Sequence, residues 1–371
     1  MVRRGLKVIV LAVVVSMLFA TAAMTDSRVL KNPYADVNWE SANQYIANFH
    51  SHTVYSDGRA EPDELIYNYA EAGYHILAIT DHDNYHTTRD EERVTMPTAS
   101  TTWPWTNWIS EQPSRIWHRA GAESSAFFPD LGDEGMLAIR GNELSSHPHL
   151  VSVFSSCGYE DRNQTEEERM ACITATEGLG YWAHPVNYAP GGSWEDRFFR
   201  TDTWEEAVTY FGRYLTEYDA MLGFEMRLGD RKELSEELLN RLLAEYYRDH
   251  NIFIVGSDDT HSTSVSNNAL LTIVLAESLT EEAVRNALQK GHKFMGQRVA
   301  TYPRFNRIEV DEALDIITVD VDNHDGITWY KDGEEYATGA SMSYAGLKDA
   351  VVRFQLDVDG ALFYSQSFYI D

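Results

Sequence analysis

Nine side chains able to bind a metal ion punctuate the chain: His50, His52, Asp57, His82, Glu143, His149, His184, Asp259 and His261. They spread over about 210 residues, and nearly all sit at the end of a short apolar run that reads as a strand. The densest pieces are Asn48-Phe49-His50-Ser51-His52 with Ser56-Asp57-Gly58 behind it, Thr80-Asp81-His82-Asp83, and Ser257-Asp258-Asp259-Thr260-His261. Side chains alternate along an extended segment, so His50 and His52 project from one face and can serve one ion. Imidazoles and carboxylates carried to one end of successive strands converge, which is how a barrel builds a metal cluster at its C-terminal face. Asp81 or Asp83 also suits a plain helix N-cap, a reading that His82 does not share.

Those ligands need elements to hold them. Residues 45–49, 75–80, 136–139, 150–154, 179–183, 220–226, 252–255 and 269–275 read as strands. Helical spacing covers 61–73, 165–177, 203–215, 233–249 and 280–290, with Pro62 in the first turn and Gly73 at the stop of the first helix. Strands alternating with helices predict parallel βα units, closed or nearly closed as a barrel. Residues 84–135 break this rhythm as an insertion carrying Trp103, Trp105, Trp108, Trp117, His86 and His118. Such an excursion is either an active-site lid or a small satellite core. After about residue 297 the helices stop and the turn signals Asp325-Gly326, Asp332-Gly333 and Asp359-Gly360 separate short strands. That pattern predicts a small Ig-like β-sandwich with Trp329 in its core. The acidic stretch 320–326 has its glycine one place too late for a calcium loop and reads as a turn. The expected divisions are a signal peptide at 1–22, a polar lead-in at 23–44, the barrel at 45–297 and the sandwich at 298–371.

The chain has 371 residues, 43% hydrophobic and 12% aromatic, which suits a well-packed protein of one large and one small domain. Its formal charge of −28 disfavours nucleic acid as a partner through the general surface field. A phosphorylated substrate stays compatible, because bound ions invert the local field. Arg3, Arg4 and Lys7 precede an uncharged run, 8–20, and Ala20-Thr21-Ala22 fits a small-x-small cleavage site. That run of about 13 residues is short for a span of about 20, so export is expected, with no membrane segment in the mature form. Cys157 and Cys172 are either a disulfide permitted by export or two buried thiols.

At the six ligand-bearing pieces the chain resembles the PHP (polymerase and histidinol phosphatase) metallohydrolases. The matching elements are Phe49-His50-Ser51-His52 with Ser56-Asp57-Gly58, Thr80-Asp81-His82-Asp83, Gly141-Asn142-Glu143, His149-Leu150, Ala183-His184-Pro185 and Ser257-Asp258-Asp259-Thr260-His261. They occur in the family's order, cover most of the expected barrel and none of the sandwich, and carry one extra aspartate at Asp258. The resemblance implies a distorted (β/α)7 barrel holding two or three divalent ions, zinc, manganese or iron. It places His50, His52, Glu143 and Asp259 around one ion, and Asp57, His82 and His261 around a second. Glu143 then bridges to a third ion with His149 and His184, with His147 as the fallback for His149. Glu143, His184 and Asp259 are the expected catalytic centre. Arg227, at the end of a strand, suits phosphate recognition, with Arg59 and Arg140 as competitors. The function implied is an exported phosphoesterase acting on a small phosphorylated substrate, monoester before diester, by metal-activated water. Amide or other ester hydrolysis on the same barrel, or a non-catalytic surface-binding role, are the alternatives.

Overall fold

The computed structural model describes residues 27–54, 56–60, 62–82, 115–117, 136–145, 148–155, 157, 164–187, 203–267 and 269–371. The expected signal peptide, the insertion's side chains, Asp83 and His147 lie outside the described residues. Strand β1 (Val29–Lys31) comes first, then β2 (Asn43–Asn48), helix α1 (Pro62–Glu71), β3 (Ile76–Ile79), β4 (Arg115–Trp117) and β5 (Met136–Leu144). Next are β6 (Leu150–Val153), α2 (Glu166–Ala175), β7 (Leu179–Trp182), α3 (Trp204–Glu217), β8 (Met221–Glu225), α4 (Lys232–Tyr246) and β9 (Phe253–Val255). The helix-bearing part ends with β10 (Leu270–Ala276), α5 (Glu281–Lys290) and β11 (Lys293–Gln297). Strands alone follow: β12 (Arg304–Asp311), β13 (Ile316–Asp322), β14 (Gly326–Lys331), β15 (Glu334–Thr338), β16 (Ser341–Ser343), β17 (Ala350–Val358), β18 (Ala361–Ser365) and β19 (Phe368–Ile370).

One large sheet runs in the order β1-β19-β17-β18-β11-β10-β2-β3-β5-β6-β7-β8-β9, and a separate antiparallel sheet joins β12, β13 and β16. The pairs β2–β3, β3–β5, β7–β8 and β8–β9 are parallel. Strand β10 is antiparallel to β2 and β11, which corrects the expectation of uniform parallel units, and so is β6 to both its neighbours. For β6 the cause is local: only residues 145–149 separate β5 from β6, whereas a parallel crossover needs a dozen or more.

The two-residue strand period sorts the core. Tyr45, Ala47, Ile76, Ala78, Leu137, Ile139, Val151, Val153, Phe253 and Val255 share one apolar cluster with Val284, Ala287 and Leu288 of α5. The opposite faces of β2, β3 and β10 give Ile46, Leu77, Ile79, Leu271 and Ile273 to a second cluster with α1. Trp182, Phe224 and Ile254 pack in a third, against α3 and α4. Strands buried on both faces explain the continuous apolar runs in the sequence. Helix α2 starts on a capping box, Thr165 with Glu168, and α5 ends on Gly291 at φ 78°. Cys157 and Cys172 are disulfide-bonded, which decides between the two readings and ties the segment after β6 to α2.

The strands after residue 298 form two layers over one core. Ile308, Ile317, Val319 and Met342 of the small sheet pack with Trp329, Phe354 and Leu356 of the large one. Asp332-Gly333 (φ 49° and 89°) and Asp359-Gly360 (φ 53° and 80°) make the two tight hairpins β14–β15 and β17–β18. Asp325-Gly326 does something else: Gly326 opens β14, and Asp325 N–H donates to Asp357 O at 2.7 Å. The expected boundary near 298 falls between β11 and β12, and the large sheet continues across it through Phe294↔Ser365 and Met295↔Tyr364. The polar lead-in contains β1, which pairs antiparallel with β19. Among the described residues, no helix is long and apolar enough to cross a membrane.

Candidate metal centre

Strand ends and their loops deliver the nine expected ligands to one place. Beyond β2, Thr80 N–H donates to Ser51 O at 2.9 Å and His52 N–H to Thr260 O at 2.9 Å, so three ligand loops lock together. Asp57 arrives on a tight turn in which Gly58 N–H donates to Thr53 O at 3.0 Å. A Cβ at position 58 would lie 2.4 Å from His52 O, so glycine is required there. Asp81 is buried and accepts from Thr53 N at 2.7 Å, Thr53 Oγ1 at 2.6 Å and Ser56 Oγ at 2.6 Å. These bonds anchor the Asp57 turn, and the helix-cap alternative falls on residues after 82, outside the described ones. Glu143 shares its strand face with Leu137 and Ile139, so its carboxylate enters the interior. Because β6 runs backwards, His149 at its start reaches the same end of the sheet. His184 (φ 30°) and Asp259 (φ 50°) are non-glycine residues in the left-handed region. Such conformations cost of order 1–3 kcal/mol and persist where the surroundings hold them.

The spacing of ligand atoms fits ions. His50 Nε2 and His52 Nε2 are 3.0 Å apart. Glu143 Oε2 lies 3.2 and 3.1 Å from these nitrogens, and Asp259 Oδ1 lies 3.3 and 3.2 Å from them. A tetrahedral ion with bonds of about 2.0 Å has edges of about 3.3 Å. Two imidazole nitrogens and two carboxylate oxygens at that spacing are a donor set for one ion. A second group joins His52, Asp57, His82 and His261, with Asp57 oxygens 3.1 Å from His261 Nε2 and 3.4 Å from His82 Nε2. The other oxygen, Glu143 Oε1, stands 2.7 Å from His149 Nδ1 and 3.1 Å from His184 Nε2. Glu143 therefore turns one oxygen to each side. The grouping departs from the expected one in three respects. His184 stands with His50, Glu143 and Asp259, not with His149. His52 also stands with Asp57, His82 and His261, and His82 joins Glu143 and His149, its Nδ1 being 3.1 Å from Oε2.

The electrostatics point the same way. Burial pushes His50 and His52 down, but facing carboxylates overturn it: His50 is raised well above its ordinary value and His52 to about 10. Burial lifts Glu143, Asp57 and Asp259, yet the imidazoles hold all three below the usual carboxylate range. A buried nest that draws protons this strongly is built for positive charge. His184 departs from its neighbours: burial lowers it, against Glu143 and Asp259.

Glu225 is the residue whose role the sequence did not reveal. It is 0% exposed, faces His50 Nδ1 at 2.9 Å through Oε1 and accepts from His184 N–H at 3.0 Å through Oε2. A register shift between β7 and β8, with Gly223 at φ 151°, lets it point inward. A carboxylate behind a ligating imidazole fixes its tautomer and orientation. Asp258 turns away from the ligands: it accepts from Tyr69 OH at 2.5 Å, and burial pushes it up to about 7. Arg227 Nη2 is 3.5 Å from Asp259 Oδ2 and lines a cavity of about 610 Å³ with Asn187, Arg231, Asp258 and Gln297. Arg59 is exposed in the turn after Gly58, and among the described residues no ion pair links it to the cluster.

A mixed α/β fold with this His, Asp and Glu cluster defines the class of metal-dependent hydrolases. Residues 48–248, more than half of the chain, match the PHP domain family, and the chain belongs to it. No curated protein matches it significantly. Among solved structures it is similar to a two-domain protein containing a predicted PHP-like metal-dependent phosphoesterase from Bacteroides vulgatus. That match has 15% identity, covers 90% of this chain and 96% of the other, and has a TM-score of 0.43. A protein described as a metal-dependent phosphoesterase from Bifidobacterium adolescentis matches at 16% identity over 66% and 96% of the two chains, TM-score 0.34. An amidohydrolase from Chromobacterium violaceum matches at 14% over 58% and 87%, TM-score 0.33.

Proposed function

We propose that this chain is an exported phosphoesterase, a distorted barrel followed by an Ig-like sandwich, acting first on a phosphomonoester. The observation that carries this reading is Arg227, whose guanidinium stands 3.5 Å from Asp259 of the cluster and also lines a neighbouring cavity of about 610 Å³. An arginine so placed holds an anion against the cluster in fixed orientation. His50, His52, Glu143 and Asp259 would hold one ion, Asp57, His82 and His261 a second, and Glu143 with His149 and His184 a third. Mixed nitrogen and oxygen donors suit zinc, manganese or iron. When bound, such ions supply Lewis acidity and a nucleophile at neutral pH. Glu225 keeps His50 and the His184 backbone in place. Burial lowers His184, which favours the neutral imidazole that a metal ligand requires. The Cys157–Cys172 disulfide supports export.

The test is a substrate screen of the full chain against phosphomonoesters, phosphodiesters and amides, with zinc, manganese or iron added back. Metal-dependent phosphomonoester turnover is expected. Arg227→Ala should keep its metal content and lose about 10- to 100-fold in kcat/KM, the loss of one charge-assisted contact. Amide hydrolysis without phosphoester turnover, or an Arg227→Ala variant with unchanged phosphoesterase kinetics, refutes the anion-clamp reading.

A further inference from the structure

Strand β9 has three residues and leads directly into the loop of Asp259 and His261. On one edge it pairs with β8 through Phe253 and Val255. The alternate residues turn their backbone groups to the other edge, where side chains take the place of a strand. Ile254 N–H donates to Gln366 Oε1 at 2.8 Å, and Gln366 Nε2 returns a bond to Ile254 O at 3.0 Å. Two residues on, the Thr272 hydroxyl accepts from Gly256 N–H and donates to Gly256 O, both at 3.0 Å. Asp258 N–H donates to Asn48 Oδ1 at 3.2 Å. At Thr260 main chain takes over, its carbonyl accepting from His52 N–H at 2.9 Å. Four successive alternate positions are thus bonded, and the series runs from Gln366 to the ligands.

Gln366 is itself fixed. It is 2% exposed, its N–H donates to the Tyr34 hydroxyl at 2.8 Å, and that hydroxyl donates to Lys293 O at 3.1 Å. Gln366 lies between β18 and β19, beyond the segment that matches the family. We infer that Gln366 is a positioning residue for the metal cluster. Its amide serves as a one-residue strand that closes the large sheet against β9 and sets where Asp259 and His261 stand. A buried backbone N–H and C=O are satisfied at once, and no apolar side chain can replace both bonds. The inference rests on reading Asp259 and His261 as ligands, whereas the seam itself can be read without any metal.

The experiment uses the full chain with Gln366→Leu and, independently, Thr272→Val and Thr272→Ser. Hydrogen exchange by mass spectrometry reads the backbone, and titration with zinc or manganese reads the cluster. Gln366→Leu is expected to speed exchange across 252–262 by about tenfold or more, leave α1 and β12 unchanged, and weaken metal binding about tenfold or more. Thr272→Val should act in the same direction, and Thr272→Ser, which keeps the hydroxyl, should restore both readouts. Thr272→Val also carries the test if Gln366→Leu does not fold. Unchanged exchange across 252–262 overturns the inference. So does acceleration spread evenly over the chain, or local acceleration with unaltered metal affinity. A wild-type chain that takes up no metal refutes the ligand reading instead, before any variant is made.

Discussion

Replacing Glu143 by glutamine removes one charge and little else. The two carboxylate oxygens face five imidazole nitrogens: those of His50, His52, His82, His149 and His184, at 3.2, 3.1, 3.1, 2.7 and 3.1 Å. Glutamine keeps the shape and one acceptor oxygen, and presents an NH₂ donor where the other oxygen was. A unit charge opposite another at 4 Å is worth about 4 kcal/mol at an effective dielectric near 20. Cheaper burial of the neutral amide offsets part of that. Two to three decades of metal affinity should therefore be lost, at about 1.4 kcal/mol per decade. Equilibrium dialysis with elemental analysis reads the affinity, and circular dichroism reads the fold. Wild-type metal uptake should release protons, because the raised His50 and His52 hold them until an ion displaces them. Glu143→Gln, which removes one of the carboxylates raising both, should release fewer. A variant that keeps its full metal complement at unchanged affinity refutes the bridging role. One that loses metal only because it unfolds shows Glu143 to be a packing residue.

Two further outcomes follow from the packing. Ending the chain at residue 297 removes β17, β18 and β19, bares Phe294 and Ile273, and takes Gln366 from Ile254. Such a fragment should be aggregated or lack a cooperative thermal transition, and a fragment that melts cooperatively and keeps its metals would overturn this. Lys293 is 0% exposed, donates to Leu288 O at 2.8 Å and is lowered by burial from 10.5 to about 7. The folded-state value is below the unfolded one, so the penalty is full below about pH 7 and fades as pH rises to 10.5. Lys293→Met should raise the urea midpoint at pH 6, by a few kcal/mol in stability, and give almost no gain near pH 11.

That the candidate ligands would meet was legible in the sequence because nearly all stand beside an apolar run whose two-residue period shows through. Direction was not legible from periodicity: β6 reads like its neighbours, and only the short 145–149 connection signals its reversal. Strand β1 has three residues, and β11 begins with a buried lysine, so neither shows a strand pattern. Strand β15 is an exposed edge without apolar alternation. Glu225 ends a strand like any ligand, and only closure of the fold shows that it backs His50. The substitutes for a strand at the seam, Gln366, Thr272 and Asn48, are polar residues whose partners lie 112, 16 and 210 positions away. No local pattern encodes such pairings.

The tie between Gln366 and Tyr34 spans 332 residues. It therefore bears on the order in which this chain becomes a protein. Synthesis delivers about 5–20 residues per second, so Tyr34 waits for Gln366, and the segment of His50 and His52 waits for Thr260. Contacts of such separation are slow to form, because the entropy of a long loop is spent before they reward it. The hairpin that presents Glu143 and His149 is local and can assemble early, while the loop of Asp259 and His261 must settle late. A cluster that needs this loop is assembled only after Gln366 has been made, so the ions available in the compartment where folding finishes would decide which ones it receives.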